Sequence, residues 1–107
     1  MSDNNLSLTD FYKIHQDLGP NDLILDVRKP DEFSDAHMPK AFNIPVDQLA
    51  ARSAELKKFS KIYIHCKRGG RAKTAFETLS GLGFNNLVCI QDGGMDMWVE
   101  SGFPIEK

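Results

Sequence analysis

The sequence has 107 residues, with 13 Lys plus Arg against 15 Asp plus Glu and a net charge of −2. That length holds one small core and no second, and the near-neutral balance argues against a nucleic-acid binder, which presents a strongly basic domain. Hydrophobic residues at 41% and charged residues at 26% are the proportions of a chain that folds.

Two cysteines, Cys66 and Cys89, are too few for a disulfide-stapled secreted scaffold. No apolar run approaches the roughly 18 residues a membrane helix needs. The polar amino terminus, Met1-Ser2-Asp3-Asn4-Asn5, lacks the basic-then-apolar layout of a signal peptide. One domain over residues 1–107 is expected, cytoplasmic and away from membranes. Its balanced charge and small size suit a monomer or weak dimer.

Leu8, Phe11, His15 and Leu18 recur at helical spacing, which predicts a first helix over residues 8–18. Ser7 can cap it with Asp10 three positions on, and Gly19-Pro20-Asn21 ends it. Leu23-Ile24-Leu25-Asp26-Val27 is an apolar run of the kind buried on both faces of a parallel sheet. Pro30 suits the first position of a short helix over Asp31 to Ser34. Ala41-Phe42-Asn43-Ile44 is a short strand closed by Pro45, and residues 46–58 are helix-prone. Ile62-Tyr63-Ile64-His65 is the next strand, followed by the loop Cys66-Lys67-Arg68-Gly69-Gly70-Arg71. A helix is predicted over residues 72–82 with Gly83 as C-cap, then a strand over Leu87–Ile90 and a final helix from Gly93-Gly94 through Trp98. Short apolar strands alternating with helices imply an α/β fold with a mostly parallel sheet. Ligands in such folds sit beyond the carboxyl ends of the strands, where Cys66 falls.

The loop after the third strand holds the chemistry. Its amides and the following helix N-terminus would form an anion nest around the sulfur. Lys67, Arg68 and Arg71 add three positive charges within six residues. These effects favour thiolate over thiol and attract a small anionic substrate. Gly69 and Gly70 permit the backbone angles that turn successive N–H groups inward. Cys66 is therefore the nucleophile candidate, in preference to a buried core thiol. Cys89, inside an apolar strand without a nearby cation, reads as core packing, with a resolving or regulatory thiol as the other reading.

The remaining polar residues are weaker candidates. Asp26, at the end of an apolar run, is either a turn residue or a buried carboxylate needing a partner. His37 would order a turn and His15 pack half-buried on the first helix. His65 neighbours Cys66, but consecutive strand residues point to opposite faces, so a structural role is expected. Trp98 would pack the last helix on the sheet. No metal-ligand spacing and no nucleotide-binding glycine motif is present, so no metal and no cofactor is expected.

Four blocks, in order and spanning nearly the whole chain, resemble the single-domain rhodanese family of sulfurtransferases. They are Asp26-Val27-Arg28 with Glu32-Phe33; His37-Met38-Pro39 with Ala41-Phe42-Asn43-Ile44-Pro45, similar to "HIPGAxNIP"; Cys66 through Arg71 with Ala72; and Gly93-Gly94-Met95-Asp96-Met97-Trp98, similar to "GGxxxW". Ala36 and Lys40 depart from it, standing where the family often has glycine. The resemblance implies a three-layer sandwich with a central five-stranded sheet flanked by helices. It implies that Cys66 takes the outer sulfur of thiosulfate or a persulfide donor and passes it to cyanide or a thiol. Residues Lys67, Arg68, Gly69, Gly70 and Arg71 would bind the substrate, Arg71 foremost, while Asp26 and Arg28 would brace the loop from beneath. Related phosphatases carry five residues between cysteine and arginine. The four residues here make a tighter ring, better suited to one sulfur atom than to phosphate. A sulfur carrier working with a relay partner, and a non-catalytic binding domain, are the alternatives.

Overall fold

A computed structural model describes residues 5–90 and 93–107. Met1–Asn4 of the polar amino terminus lie outside the described residues, as do Gln91 and Asp92. The elements are β1 (Asn5–Leu6), α1 (Leu8–Ile14), β2 (Asp22–Asp26), α2 (Pro30–Asp35), β3 (Ala41–Asn43), α3 (Leu49–Arg52), β4 (Lys61–His65), α4 (Gly70–Gly81), β5 (Leu87–Ile90) and α5 (Gly94–Glu100). The strands form one five-stranded parallel sheet in the order β1-β5-β4-β2-β3.

The central strands read as expected because both faces are covered. Alternate residues divide between two apolar layers. Leu23, Leu25, Ile62, Ile64 and Cys89 pack with Leu49, Leu56, Ala72, Ala75 and Leu79 on the side of α3 and α4. Ile24, Tyr63, Val88 and Ile90 pack with Leu8, Phe11, Met95 and Trp98 on the side of α1 and α5. The result is the expected three-layer sandwich. Trp98 is fully buried and its indole N–H donates to the Pro104 carbonyl at 2.6 Å. His15 packs edge-on against it, with centroids 5.1 Å apart.

Boundaries shift where local chemistry decides. Ser7 accepts from the Asp10 N–H at 3.1 Å and opens α1, which tightens into a 3-10 turn over residues 15–17 rather than staying α-helical to 18. The helix expected over 46–58 is broken into a 3-10 turn, the short α3 and a second 3-10 turn. Leu49 and Leu56 alone are fully buried among those three pieces, with Val46 packed part-buried against the same core, so the segment needs a few separate contacts and no continuous helical face. The helix after the loop starts at Gly70 and not at Ala72. Among the described residues, no helix is long and apolar enough to cross a membrane.

Candidate active site

The site is built where β4 ends. Cys66 follows His65 directly, and the chain then turns through Lys67 and Arg68 into Gly69, the N-cap of α4. Gly69 sits at φ 115°, in the left-handed region where a side chain is strained. That conformation folds the loop back over the sulfur. The Gly69 N–H donates to Cys66 Sγ at 3.0 Å and the Ala72 N–H, from the first turn of α4, donates at 3.3 Å. Two main-chain donors and the N-terminus of α4 are thus aimed at one sulfur. Gly70 has no comparable role, since a side chain there would meet nothing within 4 Å.

The loop carbonyls are fixed from the other side. The Met95 N–H donates to the Cys66 carbonyl at 2.8 Å and the Asp96 N–H to the Lys67 carbonyl at 3.1 Å. The first turn of α5 therefore docks directly beneath the loop. Gly94, at φ 45°, makes the docking possible: a Cβ there would overlap the Cys66 carbonyl oxygen and lie 2.7 Å from the Lys67 carbonyl. This role of the double glycine is absent from a reading that treats it as a helix start.

The charge gathered on the loop is largely compensated. Arg71 does not project free toward the sulfur. Its guanidinium grips Glu32 of α2 in a two-pronged pair, Nη1 to Oε1 at 2.6 Å and Nη2 to Oε2 at 3.2 Å. Glu32 Oε1 also accepts from the Lys29 N–H at 2.9 Å, closing the N-terminus of α2. The guanidinium holds the Glu32 carboxyl well below the usual range, at about 2. Arg68 pairs with Asp96 at 3.1 Å and is 78% exposed along its side chain. Lys67 has no ion-pair partner among the described residues.

Asp26 and Arg28 form a buried ion pair, with Arg28 Nη2 2.7 Å from Asp26 Oδ2. The carboxylate accepts also from the Arg28 N–H and Nε, each at 3.0 Å. The partner expected for a buried Asp26 is thus supplied two residues away. Among the described residues no hydrogen bond joins this pair to the Cys66 loop, although the Asp26 charge acts on Arg71 and Arg28 faces Lys67 across a shared depression. Arg28 Nη2 donates instead to the Ala36 carbonyl at 2.7 Å, and Asn43 Nδ2 ties the Asp26 and Arg28 carbonyls together at 2.9 Å each. Asp26 and Cys66 sit at strand ends facing opposite layers, which is why the bracing falls on the α2–β3 connection.

His65 occupies the Asp26 layer, opposite it in register. It is fully buried, and among the described residues neither ring nitrogen makes a well-formed hydrogen bond, its nearest polar neighbour in the chain being the Cys66 backbone. Its Nε2 lies 4.0 Å from Asp26 Oδ2. Burial pushes the imidazole below its ordinary value; the Asp26 charge opposes this and Arg28 adds to it. His37 accepts the turn role, with Nδ1 2.8 Å from the Phe33 carbonyl and its ring stacked on Phe33. Cys89 is buried, and burial pushes its thiol up to about 11. Of the two departures from the glycine pattern, Lys40 carries the strain, at φ 69°, whereas Ala36 is extended at φ −169°.

A depression of about 180 Å³ opens beside the loop, between Lys67 and the first turns of α5 on one side and Arg28 with α2 on the other. Among the described residues no group of three or more His, Cys, Asp or Glu could hold a metal ion.

A family model described as "Rhodanese-like domain" matches residues 7–101. The chain is 36% identical over 73 residues to "Putative sulfur carrier protein YrkF" of Bacillus subtilis, covering 68% of this chain and 40% of that protein. It is 29% identical over 83 residues to a sulfurtransferase of Allochromatium vinosum, covering 78% and 77% respectively. A crystal structure of a rhodanese-related protein from Thermoplasma volcanium superposes with a TM-score of 0.82 at 30% identity, over 96% of this chain and 97% of that one. The chain thus spans less than half of YrkF and most of the other two. Left-handed Gly69, the sulfur cupped by main-chain donors and the matched residues together place this chain in the rhodanese-like domain family.

Proposed function

We propose that this domain moves a sulfane sulfur through a persulfide on Cys66, from thiosulfate or a persulfide donor to a thiol or cyanide. The observation that carries this reading is the Cys66 sulfur receiving N–H bonds from Gly69 and Ala72 at the carboxyl edge of the sheet. The thiolate attacks the outer sulfur of the donor. That sulfur's bond to the rest of the donor breaks, and the electron pair leaves with sulfite or with a thiolate. The acceptor then attacks the outer sulfur of the persulfide and the pair returns to Cys66. No proton transfer at carbon or external oxidant is needed, so the buried, neutral His65 is not required as a base. This is a double displacement with ping-pong kinetics.

Main-chain donors do most of the stabilising in this scheme, because they cost no reorganisation as charge shifts along the S–S axis. Lys67, with no carboxylate on it, is the cation for the anionic end of a donor. Arg71 and Arg68 act chiefly as struts, through Glu32 and Asp96. Cys66 is 1% exposed, so the approach is narrow. It suits one outer sulfur at the tip of a donor better than a tetrahedral phosphate.

The compensation of Arg68 and Arg71 favours a second reading alongside the first: a sulfur carrier, loaded by a partner's persulfide more readily than by the thiosulfate dianion. The similarity to YrkF, named as a sulfur carrier, points the same way. Incubation with thiosulfate and, separately, with a persulfide donor distinguishes them. Wild-type protein should gain about 32 Da, one sulfur, and release thiocyanate with cyanide. Cys66→Ser should do neither while keeping a native circular-dichroism spectrum. Retained turnover in Cys66→Ser would remove Cys66 from the reaction. Loading by persulfide with negligible thiosulfate turnover would select the carrier.

A further inference from the structure

The depression beside the loop holds a pattern that sulfur transfer alone does not use. Five of its lining residues are charged: Arg28, Glu32, Asp35, Lys67 and Asp96. Three of these are committed. Arg28 is paired with Asp26, Glu32 with Arg71 and Asp96 with Arg68. Lys67 and Asp35 remain, both exposed, neither with an ion-pair or side-chain hydrogen-bond partner among the described residues. One uncompensated positive and one uncompensated negative charge therefore face the same small cavity. Its apolar lining comes from Ala36, Met95 and Val99.

We propose that this depression is the acceptor subsite and that it selects a small zwitterionic thiol, an α-amino thiol of the cysteine class. This rests on the sulfur-transfer reading of Cys66. The ligand's carboxylate would meet Lys67 and its ammonium Asp35, leaving the CH₂–S group against the apolar lining and directed to the loop. The cavity, about 180 Å³, lies well under the roughly 300 Å³ at which drug-sized ligands are accommodated. That favours a single amino acid over a peptide thiol. The depression adjoins the loop that carries the reacting sulfur, on the side of the loop carbonyls. Met95 and Asp96, which line the depression, donate their N–H groups to the Cys66 and Lys67 carbonyls. The acceptor thiolate attacks the outer sulfur of the Cys66 persulfide, a new S–S bond forms on the acceptor, the old S–S bond breaks, and its electron pair returns to Cys66. The acceptor leaves as its own persulfide, and no oxidant or reductant enters.

The test separates the half-reactions. Protein loaded with sulfur and desalted is mixed with L-cysteine, with cysteamine, which lacks the carboxylate, with 3-mercaptopropionate, which lacks the ammonium, or with glutathione. Discharge is followed by intact mass. Comparing ratios between variants cancels the intrinsic reactivity of each thiol. In Asp35→Asn the rate with L-cysteine should fall about fivefold relative to 3-mercaptopropionate, the upper end for a solvent-facing ion pair. In Lys67→Met it should fall about fivefold relative to cysteamine. Unchanged ratios in both variants, or a wild-type rate with glutathione above that with L-cysteine, would overturn the proposal. A second measurement does not depend on loading. L-serine, an unreactive zwitterion of similar size, should shift the backbone amide resonances of Ala36, Lys67 and Val99 in the wild type and not in Asp35→Asn. Absence of those shifts overturns the subsite even if Cys66 loads. Failure of Cys66 to load with any donor, with the shifts present, overturns the transfer reading and leaves an amino-acid site.

Discussion

Gly94→Ala tests how the loop is held. The new methyl would be placed against the Cys66 carbonyl oxygen and 2.7 Å from the Lys67 carbonyl. Backbone atoms cannot move aside as a flexible side chain can, so the first turn of α5 must withdraw. Withdrawal breaks two hydrogen bonds, Met95 N–H to Cys66 O at 2.8 Å and Asp96 N–H to Lys67 O at 3.1 Å, each worth about 1 kcal/mol net. Holding alanine at φ 45° adds about 1–2 kcal/mol. The smaller entropy of the unfolded alanine chain gives back about 0.4–1 kcal/mol. The net loss is about 3 kcal/mol, a Tm drop of roughly 10–20 °C for a chain of this size. The control is Gly70→Ala, also at the loop but with nothing within 4 Å of the added methyl; it should be neutral or stabilise by up to about 1 kcal/mol. Urea denaturation of both variants measures the difference, and sulfur loading of folded Gly94→Ala, followed by intact mass, should be slowed. Equal stabilities for the two variants would refute the docking of α5 beneath Cys66.

Three further outcomes follow from single groups. The Glu32 carboxyl is lowered from 4.5 to about 2 by the Arg71 guanidinium. A depressed carboxyl stabilises the fold fully above its unfolded value and loses that contribution as pH falls through the folded one. At 1.36 kcal/mol per pH unit, the wild type should lose no more than about 3 kcal/mol between pH 4.5 and 2, less because both partners are part-exposed. Glu32→Gln should lack that slope when denaturation midpoints are compared across the window. His65 is buried with its imidazole pushed down, so the unfolded chain takes up the proton first. Its contribution is complete above the unfolded value of about 6.5 and declines at lower pH. His65→Leu should therefore gain stability relative to wild type on going from pH 7.5 to 5.5. Lys40→Gly should raise the stability, because the strain at φ 69° of about 1–2 kcal/mol exceeds the roughly 0.5–1 kcal/mol that glycine's freedom costs; thermal melts reading a lower Tm would contradict that assignment.

The fold was legible where burial writes itself into composition. Leu23–Leu25, Ile62–Ile64 and Leu87–Ile90 are apolar on consecutive residues because helices cover both faces of the sheet. Asn5–Leu6 was not legible, since a strand of two residues at an edge carries no periodicity and is defined by its partners Cys89 and Ile90. The broken helix over 46–58 was missed for a related reason. Its residues have helical propensity, but only Leu49 and Leu56 are fully buried, with Val46 packed at the edge of the core, and packing rather than propensity decides short segments.

The site divides along the same line. Main-chain geometry was encoded locally. Gly69 marks the left-handed turn, and the hydrogen bonds to Cys66 Sγ come from residues three and six positions along. Side-chain charge was not. Arg71 finds Glu32 39 residues away and Arg68 finds Asp96 28 residues away, so three cations in six residues do not add up to a cationic site. What a local sequence does give is the set of groups that can be neutralised; the fold decides which are. Here it leaves Lys67 and Asp35 without ion-pair partners at the depression beside the loop, which is why the proposed acceptor site would recognise a molecule that carries both signs rather than any small anion. The proposed preference among acceptor thiols would thus be a tertiary property and the proposed capacity to hold a sulfur a local one, and a substitution at Glu32 or Asp96 that frees Arg71 or Arg68 should shift the domain toward dianionic donors without altering the cup around Cys66.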